Sequence, residues 1–218
     1  MVLAGAFAIV LFIGLIIGDW AYFIRLTSDA SRYGYALGRT HERCTALTES
    51  ALLQRFDGNG VLSLPHGVAR IFPEAKRILV RPTYRLLSMR FRTAWPIKGS
   101  VEWTAAAEGA GVDLTCVKRV PWSSALLTLS WFGLVGFGTL GFLISFVREG
   151  GLSSLGGVLL GVGVTGVGLI VLAFGLLTLA VAYRLENTRL LLVYDEFREA
   201  TLGAGTPPGS PPAEKAGR

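Results

Sequence analysis

Two cysteines and two histidines are the side chains best suited to hold a metal ion or supply a nucleophile: His41, Cys44, His66 and Cys116. Zinc sites are built from closely spaced pairs such as Cys-x-x-Cys. Only His41 and Cys44 are close here. Cys116 falls on the apolar side of an alternating segment, where a thiol behaves as a small hydrophobe. No third group in the sequence stands out to orient a Cys–His pair for nucleophilic chemistry. The expectation is no metal, no cofactor and no catalytic residue, and the chain reads as a non-enzyme.

A second candidate is the glycine pattern Gly161-Val162-Gly163-Val164-Thr165-Gly166, which spells the dinucleotide fingerprint. That fingerprint carries meaning only between a strand and a helix, with an acidic residue about 20 positions later. This one lies in a long apolar run without that acid. Its glycines fit helix packing better. Gly157, Gly161 and Thr165 recur every four residues and form a small-residue ridge. Gly168 and Gly175 extend it, Gly14 with Gly18 repeats it in the first apolar run, and Gly141 with Ser145 repeats it in the second.

The elements that carry these glycines are set by charge. Of the chain's 218 residues, 51% are hydrophobic and 17% charged. Residues 1–18, 120–147 and 150–183 hold no Asp, Glu, Lys or Arg. The charged residues crowd into the remainder, at about the density of a soluble domain. A plain soluble enzyme is excluded. A bilayer core about 30 Å thick needs roughly 20 apolar helical residues, so three spans are expected, near 2–23, 125–147 and 157–183. The first lacks a basic leader and a small-residue cleavage site, and reads as a retained anchor. Trp20 and Tyr22 close it, and Trp122 opens the second, as interfacial aromatic anchors. Asp19 reads as an acid reaching for the interface. Only Arg148–Ser154 separates the second and third spans, which predicts a helical hairpin. No span contains Lys, Arg, His or Glu, which disfavours a transporter, proton relay or axially ligated haem.

Near the membrane, Arg25, Arg32, Arg39, Lys118, Arg119, Arg184, Arg189 and Arg198 fall on one side and only Arg148 on the other. The positive-inside rule then puts the N-terminus outside, with the central region and tail in the cytoplasm. An Arg-to-Lys ratio of 17 to 4 fits a GC-rich bacterial genome, and the bacterial inner membrane is the expected location.

Residues 26–120 read as a small antiparallel β domain of about five strands, inserted between the anchor (1–25) and the hairpin (121–183). Segments 77–82, 84–95, 101–105 and 112–117 look like strands, the last three alternating with period two. Turns are expected at Pro96-Ile97-Lys98-Gly99 and Glu108-Gly109-Ala110-Gly111. Asp57-Gly58-Asn59-Gly60 is expected to join strands 51–56 and 61–64. Helices are expected within 28–50 and over 66–76. Residues 184–202 continue the third helix, with Leu190, Val193, Tyr194 and Phe197 as an apolar stripe, or else a strand forms at 190–194. Residues 203–218 are a disordered Pro/Gly-rich tail.

Counted from Arg25 to Val120, this region has 15 Lys and Arg against 8 Asp and Glu. Arg70, Lys76, Arg77, Arg81, Arg85, Arg90 and Arg92 are the densest group. Beside a membrane the nearest anions are lipid headgroups, so binding to the membrane surface or a partner is expected in place of nucleic acid. The expected function is a non-catalytic accessory or scaffold subunit of a larger bacterial membrane complex, packed against other membrane subunits. The alternative is a membrane-tethered module that senses a lipid or another ligand.

Overall fold

The structure, a computed structural model, describes residues 2–44, 47–83, 95–105 and 111–202. Three helices are long and apolar enough to cross a membrane: α1 (Val2–Phe23), α4 (Trp122–Arg148) and α5 (Leu155–Leu202). Two short helices, α2 (Ser28–Arg32) and α3 (Glu49–Gln54), accompany six strands. These are β1 (Tyr35–Cys44), β2 (Val61–Ser63), β3 (Gly67–Phe72), β4 (Arg77–Pro82), β5 (Lys98–Ala105) and β6 (Val112–Val120). The strands form one antiparallel sheet in the order β1-β6-β5-β4-β3-β2. The described residues group into two compact units. One holds α1 up to Tyr22, α4 and α5 through Glu186. The other holds the sheet, α2, α3 and α5 from Asn187.

The apolar helices follow from composition: Leu, Val, Ile, Phe and Gly run without a charge for longer than a bilayer crossing requires. Their large side chains point outward, Phe7, Leu15, Leu129, Phe137, Leu159 and Ile170 among them. In water such a surface would aggregate; in lipid it is solvated. An N-terminal apolar helix, a β-sheet region and a C-terminal pair of apolar helices appear in the expected order.

The sheet buries one face by alternation. Ala69 and Ile71 on β3, Ile78 and Val80 on β4, Val101 and Trp103 on β5, and Val112, Leu114 and Cys116 on β6 share the core. The C-terminal part of α5 closes it, with Leu190, Val193 and Phe197 each at most 1% exposed. Burying each of these is worth about 1.5–3 kcal/mol. The i, i+3, i+7 stripe is therefore helical, and 190–194 is not a strand. Gly67 sits where this helix crosses β3; a Cβ there would overlap Val193 and approach the Arg81 carbonyl oxygen at 2.6 Å.

Several local expectations are overturned. Residues 28–50 hold two short helical segments around a strand: Gly34 (φ +110°) turns the chain out of α2 and into β1. Residues 51–56 are not a strand. Thr48 Oγ1 accepts from the Ala51 amide, Glu49 sits in the first turn, and Leu52 and Phe56 lie one turn apart on the buried side, all of which favour helix. The Asp57–Gly60 turn forms, with Asp57 Oδ1 accepting from the Asn59 and Val61 amides at 2.9 and 2.7 Å. It joins α3 to β2, and β2 pairs with β3. Residues 66–76 are a strand and a single 3-10 turn, closed by Lys76 in the left-handed region (φ +48°). Pro96–Gly99 is not a turn, because Lys98 and Gly99 already belong to β5. The strand expected at 84–95, most of the turn at 108–111 and the tail at 203–218 lie outside the described residues.

Candidate functional site

The sheet's second face is cationic. Its cross-strand register places Lys98 opposite Arg119, and one step beyond the Val80–Gly99 pair Arg81 lies opposite Lys98. Three cations thus stand side by side across three strands, an arrangement that is destabilising unless compensated. On the next-but-one row Arg77 lies opposite Glu102 and donates to Glu102 Oε1 at 3.0 Å. Exposed Arg32 approaches the same oxygen at 3.8 Å.

Backbone carbonyls supply the compensation, drawn from the segment that follows α1. Lys98 is fully buried; its Nζ donates to Phe23 O at 2.9 Å and Ala30 O at 2.5 Å, and lies 4.0 Å from the Phe23 ring centroid. Arg70 donates to Leu26 O at 2.7 Å, and Arg119 donates to Gly34 O at 3.0 Å. Four carbonyls between residues 23 and 34 are thereby held by three cations. Phe23 ends α1 and Ala30 lies in α2, so Lys98 also meets the negative ends of helix dipoles. A buried cation with such partners is a structural clasp. Sequence reading placed Lys98 in a turn, and only its position four residues before Glu102, in phase with it and out of phase with Val101 and Trp103, pointed to this face.

On the core face the groups that could do chemistry are shut in. Burial pushes the Cys116 thiol up to about 11, with Glu42 adding to the rise and Lys118 opposing it. Burial also raises Cys44, helped by Glu42 and Asp113 against Arg198. Tyr194, which donates to Glu42 Oε2 at 3.3 Å, is likewise raised, mainly by burial. Arg198 pairs with Glu42 at 2.5 Å. A protonated, buried thiol is a poor nucleophile and a poor metal ligand. His41 Nδ1 bonds to Thr115 Oγ1 at 2.9 Å, and His66 Nδ1 pairs with the Glu196 carboxylate, so the two histidines have different partners. Among the described residues no three His, Cys, Asp or Glu side chains gather as a metal ion would need.

Within the unit of long helices, Asp19 has a definite partner. Its Oδ2 accepts from Ser123 N at 3.0 Å and Ser123 Oγ at 2.5 Å. Pro121, at the N-cap of α4, has no side chain able to cap. An acid from α1 fills that role and also meets the positive end of the α4 dipole. The glycines divide into two sets. A Cβ at Gly161 would stand 3.2 Å from Phe146, one at Gly168 would overlap Thr139, and one at Gly175 would overlap Trp131. These glycines recur every seven residues, the spacing of a shallow antiparallel helix pair. Gly157 meets the Gly151 carbonyl in the hairpin turn, and Thr165 Oγ1 donates to Gly161 O at 2.7 Å within its own helix. By contrast, Gly14, Gly18 and Gly141 face open space, and Ser145 is exposed.

Of the basic residues singled out from sequence, Arg77 is buried against Glu102, Arg70 holds Leu26, and Arg81 lies in the cationic row. Lys76 is exposed at its turn. Arg85, Arg90 and Arg92 lie outside the described residues. Trp20 and Tyr22 are half-buried and Trp122 is 43% exposed. The chain matches no protein-family description, no curated protein and no solved structure.

Proposed function

We propose that the protein is a non-catalytic accessory or scaffold subunit of a larger assembly in a bacterial inner membrane, its sheet on the cytoplasmic side and its N-terminus outside. The observation that carries this reading is the division of the glycines. Gly161, Gly168 and Gly175 are filled from within the chain by Phe146, Thr139 and Trp131, whereas Gly14, Gly18 and Gly141 meet nothing. Without a hydrophobic drive in lipid, close backbone approach is what lets helices associate, and open glycines offer it. The buried, protonated thiols and the occupied histidines give no support to an enzyme. The excess of Lys and Arg in the sheet region supports the proposed orientation.

Native gels of gently solubilised membranes test the reading. The wild-type protein should migrate in an assembly much larger than the 23.3 kDa chain. Gly14→Leu with Gly141→Leu should release it from that assembly while leaving the melting temperature of the purified chain unchanged. Wild-type protein that migrates only as a free monomer would defeat the proposal. Topology needs an introduced cysteine, for example at exposed Arg55, because Cys44 and Cys116 are buried and would resist an impermeant reagent on either side.

A further inference from the structure

On the cationic face, Arg32 and Arg77 share the carboxylate of Glu102. Arg39 joins them. His41 bonds to Thr115 and Arg43 to Asp113, and this constant register puts Arg39 opposite Val117, diagonal to Arg119 on the same face. Long side chains reach across such a diagonal. Burial lowers the Arg119 guanidinium from its ordinary range. Glu102 opposes that shift, while Arg32, Arg77 and Arg39 add to it. Arg119 Nε has no hydrogen-bond partner among the described residues.

The members differ in availability. Lys98 is sealed beneath Phe23 and Ala30, and Arg77 is committed to Glu102. Arg39 is exposed and makes no ion pair among the described residues. Arg32 is 65% exposed, and its 3.8 Å contact with Glu102 is the kind of surface pair that contributes little. Arg32 and Arg39 are therefore open forks flanking half-buried Arg119. Arginine forks match phosphate oxygens two at a time. Chain connectivity fixes where this happens. Arg119 comes three residues before Trp122, the first residue of an apolar helix, and so lies within about 10 Å of its start. The headgroup layer extends about 5–8 Å beyond the hydrocarbon on each side, within reach of a long arginine side chain from there.

We infer that Arg32, Arg39 and Arg119 form a binding site for the phosphate of an anionic lipid headgroup. This site is distinct from the Arg70–Arg92 group that composition alone suggests, and it stands whether or not the protein is a subunit of an assembly. The full chain, purified in mild detergent and offered phosphatidylglycerol or phosphatidylcholine, should retain phosphatidylglycerol preferentially by native mass spectrometry. Arg32→Gln with Arg39→Gln should weaken that retention by roughly 25-fold, about fivefold for each cation lost. Arg55→Gln removes a cation from an exposed position elsewhere and should leave retention unchanged. Slow thiol labelling of Cys44 and Cys116 in each variant certifies the fold. Equal retention of the two lipids by the wild-type chain would overturn the inference. So would an unaffected Arg32/Arg39 variant, or a control variant that loses as much. Displacement of the lipid by excess inorganic phosphate would assign the site to a soluble anion and overturn it as well.

Discussion

Phe197→Ala is the sharpest test of how the sheet core is closed. Phe197 is fully buried on the last turns of α5, with the Phe56 ring centroid 6.4 Å away and the Tyr194 ring 6.2 Å away. Truncating a buried phenylalanine costs about 3–5 kcal/mol, part from lost transfer and part from the cavity left behind. That is a large share of a domain stability of about 5–15 kcal/mol. The core contains its own reporters. Cys44 and Cys116 are free thiols in the same cluster, 6% and 5% exposed. A thiol reagent reaches them only when the core opens, so the labelling rate follows the opening equilibrium. At fixed pH in lipid nanodiscs, Phe197→Ala should speed labelling roughly a hundred- to several thousandfold. Phe197→Leu, which keeps most of the volume, should fall well short of that. If labelling of the alanine variant stays within a few-fold of wild type, the end of α5 is not what closes the core.

Alkaline pH should destabilise the sheet region. The Cys116 thiol is raised from an ordinary 9.0 to about 11 in the folded state, so between those values the unfolded chain loses its proton first. The stability this thiol contributes is complete below pH 9 and falls by about 2 kcal/mol as pH rises toward 11. Denaturant midpoints measured from pH 8 to 11 should fall along this course, and less steeply in Cys116→Ala; identical slopes would contradict it. At Asp19, Asn keeps an acceptor for the Ser123 amide and should cost under about 1 kcal/mol, whereas Leu orphans that amide at about 1–3 kcal/mol. Thermal unfolding in nanodiscs should rank the two in that order, and equal losses would remove the capping role. Gly168→Leu should force α4 and α5 apart against Thr139 at about 1–3 kcal/mol. The same change at Gly14 should leave the melting temperature where it was, and a matched drop at both positions would erase the distinction between filled and open glycines.

The apolar helices and the alternating strands were legible because a single physical variable, burial, imposes their periods. Val101 and Trp103, and Val112 with Leu114 and Cys116, announce β5 and β6 by inward apolar residues every second position. The β3 strand was hidden because Val68 and Phe72 on its outward face are apolar too, which blurs the alternation. The α3 helix was hidden behind a strong turn signal at Asp57–Gly60, although Thr48 and Glu49 spelled a helix start. The cationic face could not be read at all. Which lysine meets Phe23 O or Ala30 O depends on the register among β4, β5 and β6 and on the path of residues 23–34, and neither leaves a local pattern in sequence.

The residues that seal the sheet leave the ribosome well after its strands. The sixth strand is complete at Val120, but Leu190, Val193 and Phe197 follow some 70 residues later, after two apolar helices have had to enter the bilayer. At about 5–20 residues per second, that leaves several seconds in which Ile78, Val80, Val101, Trp103 and Leu114 lie uncovered. Completion of the sheet is thereby tied to insertion of the hairpin. A chain that stalls at the membrane exposes an apolar sheet surface to chaperones and proteases, and a fragment cut at residue 120 inherits the same open face permanently.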